Sequence, residues 1–178
     1  MKKWIVGARV KTLPAAVAPV LIGTSYAEEI NWGNALLALL VSLFLQIAVN
    51  FANDYSDGVR GTDTHRIGPV RLVASGLASA SSVKAAALIS CLIAAIAGLV
   101  LAINISPWLL AVGAAAIWAA WAYTGGKKPY GYFGFGELSV FIFFGLVATV
   151  GSYYIQTEQF NWQYFYLLYL LALYPVRS

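Results

Sequence analysis

Between Asn50 and Asp63 the chain reads NFANDYSDGVRGTD, which gathers Asp54, Asp57 and Asp63 with Asn50, Asn53 and Arg60. It directly follows the apolar run ALLALLVSLFLQIAV. If that run continues as helix for two turns past Val49, Asn50, Asp54 and Asp57 fall at i, i+4 and i+7 on one face. Asn53 and Asp57 then form a second i, i+4 pair. Carboxylates so close repel one another, and a helix C-terminus already disfavours negative charge. Something positive must offset them: solvating water with Arg60, or a divalent metal. Oxygen-only ligands suit a hard cation. Magnesium takes one or two protein carboxylates, keeps waters and shares oxygens with a substrate phosphate. The aspartates do not follow EF-hand spacing. His65 is the single histidine and Cys91 the single cysteine, so no zinc set exists.

Further cations follow. RIGPVRLVASG carries Arg66 and Arg71, and TGGKKPYGYFGFGE carries Lys127 and Lys128. Guanidinium and ammonium groups pair well with phosphate oxygens. Gly58, Gly61, Gly68, Gly125 and Gly126 permit close backbone approach. Carboxylates, cations and glycines at helix mouths suit a magnesium-bound diphosphate whose tail enters the bilayer. The bland alternative for Lys127 and Lys128 is a pair of lysines anchoring a cytoplasmic loop.

The elements that must position these residues are apolar helices. Of 178 residues, 61% are hydrophobic and 10% charged, against roughly one quarter charged in soluble domains. Several runs are long enough to cross a hydrocarbon core, so this is an integral membrane protein. The net charge of +4 carries no argument for nucleic acid, and no nucleic-acid partner is expected. Each segment is expected to be helical, because an open strand leaves its backbone unpaired in lipid. The expected segments are 13–27, with 4–9 as an amphipathic lead-in; 34–53; 83–105; a fourth ending near Tyr123; 138–155; and a short sixth run, 164–176. Pro14 and Pro19 predict a kink in the first, which is expected to be a retained span rather than a cleaved signal.

All eleven lysines and arginines then fall on one side of the membrane, while Glu28, Glu29 and Glu158 lie on the other. Positive residues mark the cytoplasmic face. The N-terminus and both long polar loops, 54–82 and 124–137, are therefore expected to be cytoplasmic, in a cell (plasma) membrane. Trp32, Trp108, Tyr153, Tyr154 and Trp162 near segment ends fit an interfacial aromatic belt.

NFANDYSDGVRGTD followed by RIGPVRLVASG resembles the first aspartate-rich motif of the UbiA superfamily of intramembrane aromatic prenyltransferases. ARVKTLPAAVAPVLIGT and YTGGKKPYGYFGFGEL are similar to its 1,4-dihydroxy-2-naphthoate branch, in the menaquinone pathway, and Gly61 followed by Asp63 is read as a marker of that branch. The resemblance implies an all-α transmembrane bundle of about nine spans, of which about six are present here. It implies a single transmembrane domain over 1–178 and a cavity opening toward lipid. Through magnesium, Asn50, Asp54 and Asp57 would bind the diphosphate, with Asp54 and Asp57 as the catalytic carboxylates. Asn53, Asp63, Arg66, Arg71, Lys127 and Lys128 would contribute to the diphosphate site, and Tyr123 would stand near the cavity rim. The implied partners are a polyprenyl diphosphate, 1,4-dihydroxy-2-naphthoate and membrane lipid, with no oligomeric state specified. The implied reaction is prenyl transfer with loss of the naphthoate carboxylate as carbon dioxide, giving demethylmenaquinone.

Metal ions and preorganised cations stabilise a departing diphosphate. An apolar, aromatic-lined cavity protects an allylic cation from water. The family also has a second aspartate-rich motif after a sixth span, which is absent here, so this N-terminal portion is expected to be inactive alone, as a fragment, a truncated frame or one half of a split enzyme. The competing classes are a transporter, which would place carboxylates at mid-span, and a structural or assembly subunit whose aspartates solvate a helix end.

Overall fold

The computed structural model describes residues 2–61, 70–125 and 129–160, and these are helical with no strand among them. The helices are α1 (Lys2–Ala8), α2 (Pro14–Ser25), α3 (Trp32–Arg60), α4 (Ala80–Asn104), α5 (Leu109–Thr124) and α6 (Gly136–Thr157). Short 3₁₀ turns occupy Val10–Thr12 and Tyr130–Phe133. α3, α4 and α6 are each long and apolar enough to cross a membrane, and α1 with α2 makes a fourth span if the bent pair counts as one. α5 has 16 residues, about 24 Å of helix against a core of about 30 Å. The expected sixth segment lies outside the described residues.

At 29 residues, α3 is the longest element. It rises about 44 Å, well beyond the hydrocarbon thickness. Its surplus length carries the Asn50–Asp57 stretch to the polar boundary while keeping it helical. At its start, Asn31 Oδ1 accepts a bond from the Asn34 amide at 3.1 Å. At its end, Gly61 adopts φ 69° and its amide caps the Asp57 carbonyl, a left-handed geometry that glycine adopts without a Cβ penalty. The helix thus runs seven residues beyond the apolar segment expected from hydropathy, carrying Gly58 within it and ending at the left-handed Gly61.

The first span is interrupted at Arg9, whose φ is 51°, and bends at Leu13, where the halves Lys2–Thr12 and Pro14–Ser25 meet at 52°. The bend therefore falls immediately before Pro14. Pro14 opens α2 in its first turn, where a missing amide hydrogen costs nothing, and Pro19 is accommodated inside α2.

Two apolar clusters hold the bundle. Phe51, Ala52, Leu72, Val83 and Ala87 join α3 to α4 with the 70–73 segment between them. Val20, Ala38, Leu101, Tyr154 and Ile155 join α2, α3, α4 and α6. α2 crosses α6 at Gly23, where a Cβ would fall on the Thr149 carbonyl oxygen. Small residues at such crossings let helix backbones close in without lipid between them.

α3 and α6 run antiparallel. At one end, the Asn31 amide donates to Gln156 Oε1 at 2.8 Å, and Asn34 Nδ2 donates to the Ile155 carbonyl at 3.2 Å. Trp108 Nε1 donates to the Tyr154 hydroxyl at 3.1 Å nearby. At the other end, Lys3 Nζ donates to the Leu77 carbonyl at 3.2 Å, joining the N-terminus to the segment ahead of α4. Glu28, Glu29 and Glu158 lie toward the first end, and Lys2, Lys3, Arg60, Arg71 and Lys84 toward the second. The charge asymmetry of the sequence is therefore an asymmetry of the folded bundle.

Candidate active site

Between α3, α5 and α6 lies a cavity of about 300 Å³. Its walls are mostly apolar, with Val41, Leu45, Val112, Phe143, Phe144 and Val147 among the lining residues. Phe143 and Phe144 are consecutive, and both reach the lining from a π-helical stretch of α6, Phe141–Val147. Such widened turns depart from the regular α-helical side-chain array and recur at functional sites.

The polar wall comes from α3. Ser42, Gln46 and Asn50 recur every fourth residue and all line the cavity. Each also donates to the broken first span. Ser42 Oγ bonds the Ala16 carbonyl at 2.8 Å. Gln46 Nε2 reaches Thr12 Oγ1 at 3.2 Å. Asn50 Nδ2 bonds the Ala8 carbonyl at 2.9 Å and Thr12 Oγ1 at 3.0 Å. The Thr12 hydroxyl gives its own proton to the Arg9 carbonyl at 2.9 Å, so its oxygen can only accept from the two amides. Both amides therefore turn their NH₂ groups toward the first span and their carbonyl oxygens away from it. Asn53 joins the same lining, and its Oδ1 is buried with no hydrogen-bond partner among the described residues. The polar end of the cavity is thus rich in hydrogen-bond acceptors.

The two carboxylates are arranged differently. Asp54 is 1% exposed. Its Oδ2 accepts from the Leu72 amide at 2.8 Å and its Oδ1 from the Val73 amide at 3.1 Å. Asp57 Oδ2 lies 3.0 Å from Arg71 Nη2, with both side chains buried. Neither carboxylate lines the cavity. The repulsion read from the sequence is therefore relieved by two backbone amides and by Arg71, which arrives from beyond the 62–69 stretch. Arg60 lies on the last turn of α3 with an exposed side chain.

Tyr123, at the end of α5, lines the cavity and meets Tyr130 edge-on at 5.6 Å between ring centres. Tyr130 donates its hydroxyl to the Ala119 carbonyl at 2.8 Å and stands 2.8 Å from Ser139 Oγ. This pins the 3₁₀ turn across the α5–α6 junction. Asp63, His65, Arg66, Lys127 and Lys128 lie outside the described residues.

Among the described residues no three His, Cys, Asp or Glu side chains converge as a metal set. Asn50, Asp54 and Asp57 do share α3, but as a ligand trio they do not fit a cation here. Asp54 is sealed against Leu72 and Val73, and Asp57 is engaged by Arg71. The polar residues that α3 gives to the cavity lining are Ser42, Gln46, Asn50 and Asn53. Sequence reasoning missed Thr12, Ser42 and Gln46. The four-residue polar spacing of Ser42, Gln46 and Asn50 inside an apolar run was the available signal. The Leu72 and Val73 amides left no trace in the side-chain pattern.

A multi-pass helical membrane protein with an apolar cavity that is polar at one end is the class this geometry defines. The UbiA prenyltransferase family model matches residues 16–175, and the chain belongs to that family. Its members generally use a divalent metal. The chain is 57% identical over 163 residues to the 1,4-dihydroxy-2-naphthoate octaprenyltransferase of Mycobacterium tuberculosis, covering 90% of this chain and 56% of that protein. It is 39% identical over 168 residues to the protein of that name in Escherichia coli, covering 87% and 54%. It is 30% identical over 169 residues to the 2-carboxy-1,4-naphthoquinone phytyltransferase of Synechocystis sp., covering 90% and 53%. The chain spans about half the length of the curated relatives it matches. No solved structure matches it.

Proposed function

We propose that these 178 residues form a single transmembrane domain serving transfer of a polyprenyl group from a polyprenyl diphosphate to 1,4-dihydroxy-2-naphthoate. In that reaction the allylic carbon–oxygen bond breaks, diphosphate departs, and the electron-rich ring takes up the allylic carbon. The naphthoate carboxylate leaves as carbon dioxide and both ring hydroxyls are kept, giving the hydroquinone form of demethylmenaquinone. The observation that carries this reading is the cavity: apolar along its length, amide-lined at one end, in a chain of this family. The names of the relatives supply the substrates.

The residues take these roles. The apolar walls hold the isoprenoid tail and exclude water, and the Phe143 and Phe144 rings offer π faces to a developing allylic cation. Arg71, paired with Asp57, which lies one helical turn beyond Asn53, would meet the diphosphate oxygens from the described part of the chain. Arg66, Lys127, Lys128 and Asp63 would complete that end. Magnesium is the proposed divalent ion accompanying the diphosphate, and the Asn53 oxygen, which has no hydrogen-bond partner among the described residues, would be one of its ligands. The N-terminus and the polar loops face the cytoplasm of a cell membrane, following the charge asymmetry.

The test is binding of geranylgeranyl diphosphate to the purified chain in detergent, titrated with magnesium. Saturable, magnesium-dependent binding that weakens in Asp57→Asn is expected. Equal affinity for the corresponding prenyl alcohol, which lacks the diphosphate, would overturn the reading.

A further inference from the structure

Asp54 and Asp57 look equivalent in the sequence, yet the fold separates them by their surroundings. Asp54 follows Asn53 by one residue, which turns it about 100° around the α3 axis. Asn53 faces the cavity. Asp54 faces the cluster of Phe51, Leu72, Val83 and Ala87. There it is among the most buried large side chains of the described residues, with Leu72 and Val83. A carboxylate in such a place is tolerated only with strong hydrogen bonds, and the Leu72 and Val73 amides supply one to each oxygen.

The segment that donates these bonds is a folded unit. The Ala78 amide bonds the Leu72 carbonyl at 3.1 Å, and the Ser75 amide bonds the Arg71 carbonyl at 3.0 Å. Val73 packs so closely on Gly58 that any Cβ there would overlap its side chain. Arg71 immediately precedes the two amides that Asp54 grips. Holding Leu72 and Val73 therefore fixes the backbone from which the Arg71 guanidinium reaches Asp57.

We infer that Asp54 is a positioning residue, which docks the 71–73 backbone on α3 and thereby places Arg71, and that it is not a metal ligand. The inference rests on reading the cavity as a prenyl diphosphate site, and it assigns Arg71 its place in that site.

Amide hydrogen exchange of the 178-residue chain in detergent tests it, first with EDTA and then with magnesium and geranylgeranyl diphosphate. In the wild type, the Leu72 and Val73 amides stay protected under both conditions. Release of that protection on loading would mean that Asp54 leaves them for the metal, and would overturn the inference. Asp54→Asn places an NH₂ against one of two donors, so exchange at Leu72 and Val73 rises about tenfold or more in EDTA, while α4 exchanges as in the wild type. The same variant binds the diphosphate about tenfold more weakly at every magnesium concentration, with an unchanged magnesium midpoint. A raised midpoint, with full affinity restored by excess magnesium and wild-type protection at Leu72 and Val73, would identify a metal ligand and sink the proposal. Should the wild type bind no prenyl diphosphate, the proposed function fails, yet the EDTA arm still decides what Asp54 holds.

Discussion

Thr12 Oγ1 stands 3.0 Å from Asn50 Nδ2, and it can only accept there because its proton goes to the Arg9 carbonyl. This one hydroxyl orients two cavity-lining amides, since Gln46 Nε2 reaches it as well. It also ties the break in the first span to the middle of α3.

Thr12→Val keeps the shape and removes the acceptor. Two amides lose a partner, and each buried unmet donor costs about 1–3 kcal/mol. The expected outcome is a clear drop in thermal stability in detergent together with weaker prenyl diphosphate binding. Thr12→Ser, which restores the hydroxyl, is expected to recover most of both. Wild-type behaviour of the valine variant in both measurements would remove Thr12 from the site.

The Asp57–Arg71 pair is buried on both sides. Removing one partner takes this ion pair from the other buried charge, a loss of up to about 3–5 kcal/mol. Asp57→Asn and Arg71→Gln are each expected to destabilise strongly, while the double variant is expected to lose less than their sum. Chemical or thermal denaturation of the four proteins in one detergent measures the coupling. Simple additivity would show that the pair contributes nothing as a pair.

Gly23→Ala tests the α2–α6 crossing. The added methyl meets the Thr149 carbonyl, which is backbone and cannot rotate away. Pushing the helices apart is expected to cost about 1–3 kcal/mol, read as a lower melting temperature. Gly113→Ala is the control: nothing lies within 4 Å of its notional Cβ, and α5 is expected to tolerate it. Equal effects at the two positions would rule out the crossing as the cause.

Orientation in the membrane is tested by reporters. A fusion after Gly76 is expected to be active in the cytoplasm, and one after Glu29 outside it, as the charge asymmetry dictates. The opposite pattern would place the Asn50–Asp57 end of α3 on the wrong side for a cytoplasmic diphosphate.

Much of the architecture was legible because lipid simplifies the code. Apolar runs must be helices, and α3, α4 and α6 stand where hydropathy puts them, within a few residues at most ends. The N-terminal kink was legible in part, since the 52° bend falls just before Pro14. Pro19 lies inside α2 without a break, and the further interruption at Arg9, a left-handed residue, leaves no compositional mark. In the candidate site, the helical continuation past Val49 was supposed from the i, i+4, i+7 spacing of Asn50, Asp54 and Asp57, and α3 has it. The separate surroundings of Asp54 and Asp57 could not.

What this sequence determined by itself is the membrane class, the helices, the charged end of the bundle and the kinship with the UbiA prenyltransferases. Local composition and spacing suffice for these, because each follows from neighbours along the chain. Only the tertiary structure decided which oxygens face the cavity. That depended on a hydroxyl from the first span, two amides from beyond the 62–69 stretch and one arginine arriving with them. Backbone groups are identical in every residue, so no pattern of side chains announces where a buried carboxylate will find them.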